Sequence, residues 1–304
     1  MITNYKKFYV KSLSNKSPTK DITLDDKKNK LRLSTLEKKI TVDTGNGVIF
    51  GSKEIPIIAG PNGVESYNLM RKVAKFLKKN KIRIIRGHAY KPLTFPYRSN
   101  QYCDSKSQGM DWMDKIKSEF KLKVVTEVTE IRYLERVCKT ADIIQIGSRN
   151  MQNLELLKEV ANTRFPIIIK RHYGSSLRDF LGAAEHILIT GNKKLIFCER
   201  GVVMPHTHRD TSRFSLDIQI IPAFKEICKY PIISDPSHAS FWAPWVPSLT
   251  FASIAAGCDG LIIEMHPNPK KSLVDPLQPI NFHEFKKLIK NSKAVAKSVN
   301  RNIR

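Results

Sequence analysis

Eight short apolar runs divide the chain from residue 55 onward: 55–59, 82–85, 122–126, 142–146, 166–169, 194–198, 230–233 and 259–263. Each is four or five residues long, the length of a buried strand and too short for a helix. Between them apolar residues recur at helical spacing, which predicts helices over 66–80, 154–163, 176–190, 216–230 and 247–257. In the first of these, Leu69, Val73, Phe76 and Leu77 share one face. Gly191 and Gly257 stand where C-caps are expected. Strand–helix alternation predicts an α/β fold with a parallel sheet. Eight such units predict a closed (β/α)8 barrel, the TIM-barrel architecture.

Upstream of the first run, 40–51 reads ITVDTGNGVIFG. The TGNG segment supplies residues tolerant of positive φ between alternating apolar positions, which predicts a β-hairpin. A hairpin placed there is expected to plug the barrel bottom. Residues 1–39 are rich in Lys, Asn, Ser and Asp. They read as a basic N-terminal arm, with a helix expected around 27–38, leaving 40–304 as the barrel domain. The longest connections after strands are 87–110 and 201–215, and loops of that length are usually functional or disordered.

The polar residues that follow the runs carry the chemistry. Arg86, Glu127, Arg149, Lys170, Arg200, Asp235, His238 and Glu264 stand at or just past strand ends. In a parallel barrel all those ends open on one face, so residues far apart in sequence converge on one pocket. Any single cation among Arg86, Lys91, Arg149, Lys170, Arg171 and Arg200 reads as ordinary solvent-facing charge. Cations at four separate strand ends instead make a pocket able to hold a phosphate and a carboxylate together, hence a small phosphorylated acid. His238, Glu264 and Asp275 form a set that could bind a divalent metal with an open position. His206 and His208 also look like ligands, although an HxH in a loop is more often a solvated pair.

Composition narrows the picture further. The chain has 304 residues, 41% of them hydrophobic, and no apolar run reaches the length of a membrane-spanning helix. The N-terminal MITNYKKFYV lacks the apolar core of a signal peptide. Five cysteines form no CxxC pair, so reduced thiols and a cytoplasmic location are expected. With 52 Lys and Arg against 28 Asp and Glu, net charge is +24. The lysines are spread along the whole chain and no nucleic-acid-binding motif accompanies them, so a nucleic-acid partner rests on charge alone. A basic field also draws anionic metabolites toward a pocket.

The spellings around the strand ends add specificity. AGPNGVES (59–66), RGHAYKP (86–92), VVTEV (124–128), DIIQIGSRNMQN (142–153), IIIKR (167–171), CERG (198–201), DPSHA (235–239) and IEMHPNP (263–269) occur in this order. In these motifs the chain resembles the 3-deoxy-7-phosphoheptulonate (DAHP) synthase family, in the subgroup related to 3-deoxy-8-phosphooctulonate synthases. The resemblance runs from about 40 to 290. It implies an aldol-type condensation of phosphoenolpyruvate with an aldose phosphate on a (β/α)8 barrel, and a homo-oligomer (dimer or tetramer). Arg86, Lys91, Arg149, Lys170 and Arg200 match the family's phosphoenolpyruvate-binding positions. Glu127 matches a carboxylate near the attacking water, and Lys91, Glu127 and His238 are the implied catalytic residues. His238, Glu264 and Asp275 match three metal ligands, for Mn²⁺ or a similar divalent ion.

Several positions depart from the family's pattern. Asn62 stands where the fourth metal ligand is normally a Cys. Metal-independent 3-deoxy-8-phosphooctulonate synthases resemble this chain in carrying Asn there, so a weak or absent metal requirement is expected. Leu93 replaces an Arg of the acceptor motif, and His88 is a further change. Phe241, Trp242, Ala243, Pro244 and Trp245 stand where Gly and two Arg are usual. Lost cations and gained aromatics predict retained phosphoenolpyruvate binding with an altered acceptor, and a role in secondary metabolism; aromatics at a subunit interface are the plainer reading. Primary shikimate-pathway synthesis of aromatic amino acids and a non-catalytic phosphoenolpyruvate-binding or regulatory barrel remain alternatives. With so short an arm, the separate regulatory domain of some family members is not expected.

Overall fold

A computed structural model describes residues 31–35, 38–90, 105–204 and 214–303. A short antiparallel hairpin comes first, β1 (Val42–Asp43) and β2 (Ile49–Phe50), paired Val42 to Phe50. Its turn runs through Gly45, Asn46 and Gly47, all at positive φ, which accounts for the glycines on either side of the asparagine.

Eight parallel strands follow: β3 (Ile57–Gly60), β4 (Ile84–Arg86), β5 (Lys123–Val128), β6 (Ile143–Ile146), β7 (Ile167–Lys170), β8 (Leu195–Glu199), β11 (Ile232–Ser234) and β12 (Leu261–Glu264). They close into a barrel in chain order, β12 pairing with β3. After β8, a two-stranded ribbon of β9 (Val202–Val203) and β10 (Phe214–Ser215) stands at the barrel mouth. Every expected strand is present, displaced one or two residues toward the C-terminus at its start. Pro56, Pro166 and Pro231 lie just before three of the strands; proline donates no ladder hydrogen bond and suits the entry to a strand better than its interior.

Helices cover the outside: α1 (Tyr67–Lys79), α2 (Lys106–Phe120), α3 (Leu134–Thr140), α4 (Leu154–Asn162), α5 (Leu177–Leu188), α6 (Ile220–Ile227), α7 (Pro236–Ser240), α8 (Val246–Ala255) and α9 (Phe282–Ser298). Ser66 caps α1 by accepting from the Leu69 amide, and Ser176 and Asn281 open α5 and α9 with reciprocal capping boxes. Gly191 and Gly257 adopt positive φ just beyond α5 and α8, as expected of helix stops. The helix expected over 216–230 is shorter, Ile220–Ile227, with Asp217 ahead of it accepting from the Ile220 amide at 3.2 Å. The expected loop 87–110 gives way to α2 at Lys106. Gly109 hides that start in the sequence, yet a Cβ there would lie 2.0 Å from Ser105 Oγ, so glycine is demanded by packing.

The helix expected around 27–38 is not seen where the chain is described. Residues 33–35 form a bend and turn. The amides of Arg32, Leu33 and Ser34 and the Ser34 hydroxyl all donate to the Glu185 carboxylate of α5, at 2.6–3.1 Å. A carboxylate gathering four donors competes well with a helical turn. The rest of the basic arm, residues 1–30, lies outside the described residues.

Side-chain alternation sorts the barrel into two cores. Ile57, Ala59, Ile85, Val124, Ile144, Ile169, Phe197 and Ile263 face the helices. Ile58, Ile84, Val125, Ile143, Ile168, Ile196, Cys198, Ile233 and Ile262 fill the lumen together with Val42, Val48 and Phe50 of the hairpin. The hairpin thus plugs the barrel bottom, with Phe50 fully buried. Among the described residues, no helix is long and apolar enough to cross a membrane.

Candidate active site

Alternation has period two along a strand, so the residue two beyond each lumen-facing apolar side chain also faces the lumen, one layer higher. The residues two beyond Ile84, Val125, Ile143, Ile168, Cys198, Ile233 and Ile262 are Arg86, Glu127, Gln145, Lys170, Arg200, Asp235 and Glu264. All seven are at most 7% exposed. One layer of the lumen is apolar; the next, at the C-terminal ends of the same strands, is ionic and polar.

The ionic layer is linked contact by contact. Arg86, the largest fully buried side chain, donates Nη2 to Asn62 Oδ1 at 2.8 Å and lies 3.4 Å from Glu264 Oε2. Its Nε and Nη1 have no hydrogen-bond partner among the described residues. Asn62 Nδ2 donates to Asp275 Oδ2 at 3.4 Å. Glu264 also takes the Gln278 amide and lies 3.7 Å from His238 Nε2. The other ring nitrogen of His238 is 2.8 Å from Asp235 Oδ2, and Asp235 pairs with Lys170 Nζ. Arg200 Nη2 reaches the His238 carbonyl at 3.3 Å, and its guanidinium lies over the Phe214 ring at 4.2 Å.

The electrostatics follow from this crowding. Burial opposes charge on Asp235, but the hydrogen bond from His238 and the charges of Lys170 and Arg86 outweigh it and hold the carboxyl well below its usual range. Burial likewise holds the His238 imidazole well below its usual value, against the pull of Asp235 and with Lys170 and Arg86 adding to the effect. The layer therefore holds an ionised Asp235 beside a neutral His238. Lys170 and Arg86, both buried and both acting on this pair, suit a ligand that brings negative charge.

The structure separates the expected site residues. Arg86, Lys170, Arg200, His238, Glu264, Asn62 and Asp275 fall in the one network. Glu127 lies on the same layer beside Gln145. Arg149 sits just beyond β6 and is exposed. Lys91, Leu93, His206 and His208 lie outside the described residues. Arg171 turns the other way: it pairs with Glu199 at 3.1 Å and Asp217 at 2.8 Å, and donates Nε and Nη2 to the Ser175 carbonyl. Its parity places it behind the barrel wall. Burial raises the Glu199 carboxyl even against Arg171.

Sequence reasoning passed over Gln145, Gln278 and Ser237, whose hydroxyl accepts from the Glu264 amide at 3.0 Å. Lumen parity alone identifies Gln145, two residues beyond Ile143. No periodic signal marks Gln278, which reaches the layer from a loop.

The donor set fits a tightly held divalent metal poorly. Asn62 replaces the thiolate expected there and has both ends of its amide engaged, by Arg86 and Asp275.

Comparison with known proteins places the chain in a family of barrel enzymes. The model of the DAHP synthetase I family matches residues 37–301. A phospho-2-dehydro-3-deoxyheptonate aldolase of Thermotoga maritima is 36% identical over 255 residues, covering 84% of this chain and 73% of its own. A 2-dehydro-3-deoxyphosphooctonate aldolase of Fusobacterium nucleatum is 27% identical over 264 residues, covering 82% of this chain and 93% of its own. The crystal structure of the Thermotoga maritima DAHP synthase superposes with a TM-score of 0.82 at 34% identity, over 88% of this chain and 76% of that one. The barrel agrees with the match over nearly the whole chain, which belongs to the DAHP synthetase I family of aldol-type, carbon–carbon bond-forming transferases.

Proposed function

We propose that the upper lumen layer binds phosphoenolpyruvate and joins its methylene carbon to an aldehyde. Water adds to the phosphate-bearing carbon, and phosphate leaves by C–O cleavage. The observation that carries this reading is the burial of Arg86 and Lys170, with Arg200 alongside, on one lumen layer. Arg86 and Arg200 offer planar donors suited to carboxylate and phosphate, and Arg149 and Lys91 complete the cationic set. Glu127 takes the proton from the water as the general base, and neutral His238 positions the acceptor. Electrostatic stabilisation of developing charge by fixed, buried donors supplies the largest part of catalysis. The non-catalytic alternative gains no support from the site.

The Thermotoga relative is named for a seven-carbon product. Removing the three carbons of phosphoenolpyruvate leaves a four-carbon acceptor, erythrose 4-phosphate, as the first reading. One observation favours an altered acceptor: Phe241, three residues past His238, holds φ 52, ψ 21. A bulky residue in this left-handed region costs roughly 1–2 kcal/mol, and such strain tends to persist where function requires the side chain. Phosphate release from phosphoenolpyruvate with erythrose 4-phosphate and a panel of uncharged aldehydes tests both readings. Ordinary turnover with erythrose 4-phosphate supports the first; turnover confined to other aldehydes supports the second; none at all rejects the function.

Metal dependence is proposed to be weak or absent, because Asn62 is a poor ligand already bonded at both ends. Activity should survive exhaustive chelation; complete loss that Mn²⁺ restores would reject this. The four described cysteines are free thiols, in keeping with a cytoplasmic enzyme, and self-association as a dimer or tetramer is proposed by analogy.

A further inference from the structure

Behind Glu127 lies a second set of buried groups that the reaction as described does not use. The β4–β5 ladder ends at the bond from the Gly87 amide to the Val125 carbonyl, 3.2 Å. At the next rung a side chain takes the place of a backbone carbonyl: the Glu127 amide donates to His88 Nδ1 at 2.9 Å. His88 is 1% exposed and is held from both sides of its backbone. Its amide donates to the Asn62 carbonyl and its carbonyl accepts from the Val64 amide, both at 3.1 Å.

Gln145 reaches Glu127 from the far side. His88 Nε2 is 3.4 Å from the Gln145 carboxamide nitrogen, and that nitrogen is 3.4 Å from Glu127 Oε2. Because Nδ1 accepts from the Glu127 amide, the ring proton sits on Nε2, so the approach of Nε2 to the Gln145 nitrogen is a packing contact. The two hydrogen bonds that hold Glu127 are its amide to His88 and the Gln145 amide to its carboxylate. Beneath it, a Cβ at Gly147 would fall 2.0 Å from Glu127 Oε1. Gly147 has φ −66, a conformation any residue adopts, so what glycine provides here is room for the carboxylate.

We propose that His88, with Gln145 and Gly147, forms a seat that fixes the Glu127 carboxylate for the water-addition step, making His88 a positioning residue of this enzyme. The proposal rests on the reading of Glu127 as the general base. Positioning of a reacting group to within an ångström is worth up to about 100-fold in rate. The seat therefore acts on kcat and leaves the grip on phosphoenolpyruvate, supplied by Arg86, Lys170 and Arg200, unchanged.

The test is a double-mutant cycle read by phosphate release from phosphoenolpyruvate, with erythrose 4-phosphate or the best aldehyde of a panel. His88→Leu and Gly147→Ala should each lower kcat about 10- to 100-fold with KM for phosphoenolpyruvate within about twofold. His88→Asn, whose side-chain oxygen can accept from the Glu127 amide, should recover most of the loss. In a Glu127→Gln background neither substitution should cost more than about twofold, because nothing remains to position. Gln145→Leu, which removes the donor to the Glu127 carboxylate, serves where His88→Leu does not fold. Losses in the Glu127→Gln background as large as in the parent would overturn the seat and show a structural role only. Full activity in Glu127→Gln itself would overturn the general-base reading, and the seat with it.

Discussion

The two lumen layers lie one strand repeat apart, about 7 Å by strand geometry, yet they are built from opposite materials. The lower layer is isoleucine and valine with one cysteine, Cys198, closed from below by Val42, Val48 and Phe50. The upper layer carries Arg86, Glu127, Lys170, Asp235 and Glu264, each at most 7% exposed. Apolar burial stabilises the fold in proportion to area. A buried ion network does so weakly or not at all, because desolvation offsets the attraction between its charges. The lower layer is therefore where the barrel gains stability, and the upper layer adds little to it, which accords with the binding role proposed for it.

That contrast can be broken from either side. Phe50→Ala should destabilise the protein most, by about 3–5 kcal/mol in urea unfolding, while phosphoenolpyruvate affinity per folded molecule stays the same. An equal loss of affinity would mean that the layers are not separable. Arg171→Leu asks whether strand parity assigns roles to adjacent cations. It removes the partner of buried Glu199 and should cost about 3 kcal/mol of stability with phosphoenolpyruvate binding unchanged. Weakened binding would place Arg171 in the site after all.

Smaller effects sharpen the picture at the rim. Phe241→Gly should raise stability by about 1 kcal/mol by relieving the left-handed strain. If the aromatic cluster excludes a phosphorylated acceptor, the same variant should raise turnover with erythrose 4-phosphate; unchanged turnover assigns the aromatics to packing. The smallest signal is chemical. Burial pushes the Cys228 and Cys258 thiols up to about 12, so both stay protonated and unreactive toward a thiol reagent at pH 8 until the protein unfolds. Rapid labelling of either in the native protein would contradict their burial in the core between barrel and helices.

The fold was legible because eight apolar runs of strand length alternate with helical periods, and because TGNG marks its hairpin unambiguously. Element edges were less so. Pro56, Pro166 and Pro231 moved strand starts, and Gly109 disguised the first turn of α2. In the site, strand-end position found Arg86, Glu127, Lys170 and Glu264. It could not tell Lys170 from Arg171, which are adjacent in sequence and on opposite faces of the wall. Parity resolves that pair and would have revealed Gln145 as well. His88 and Gln278 had no periodic signal, since each reaches the layer from a connection whose path depends on tertiary packing.

The central claim is that the upper layer exists to hold phosphoenolpyruvate, and calorimetric titration of that compound into the parent protein and Lys170→Met tests it most directly. The account predicts measurable binding to the parent and a loss of over about 100-fold in the variant, near 3 kcal/mol. No binding to the parent, or equal binding to both, would contradict it.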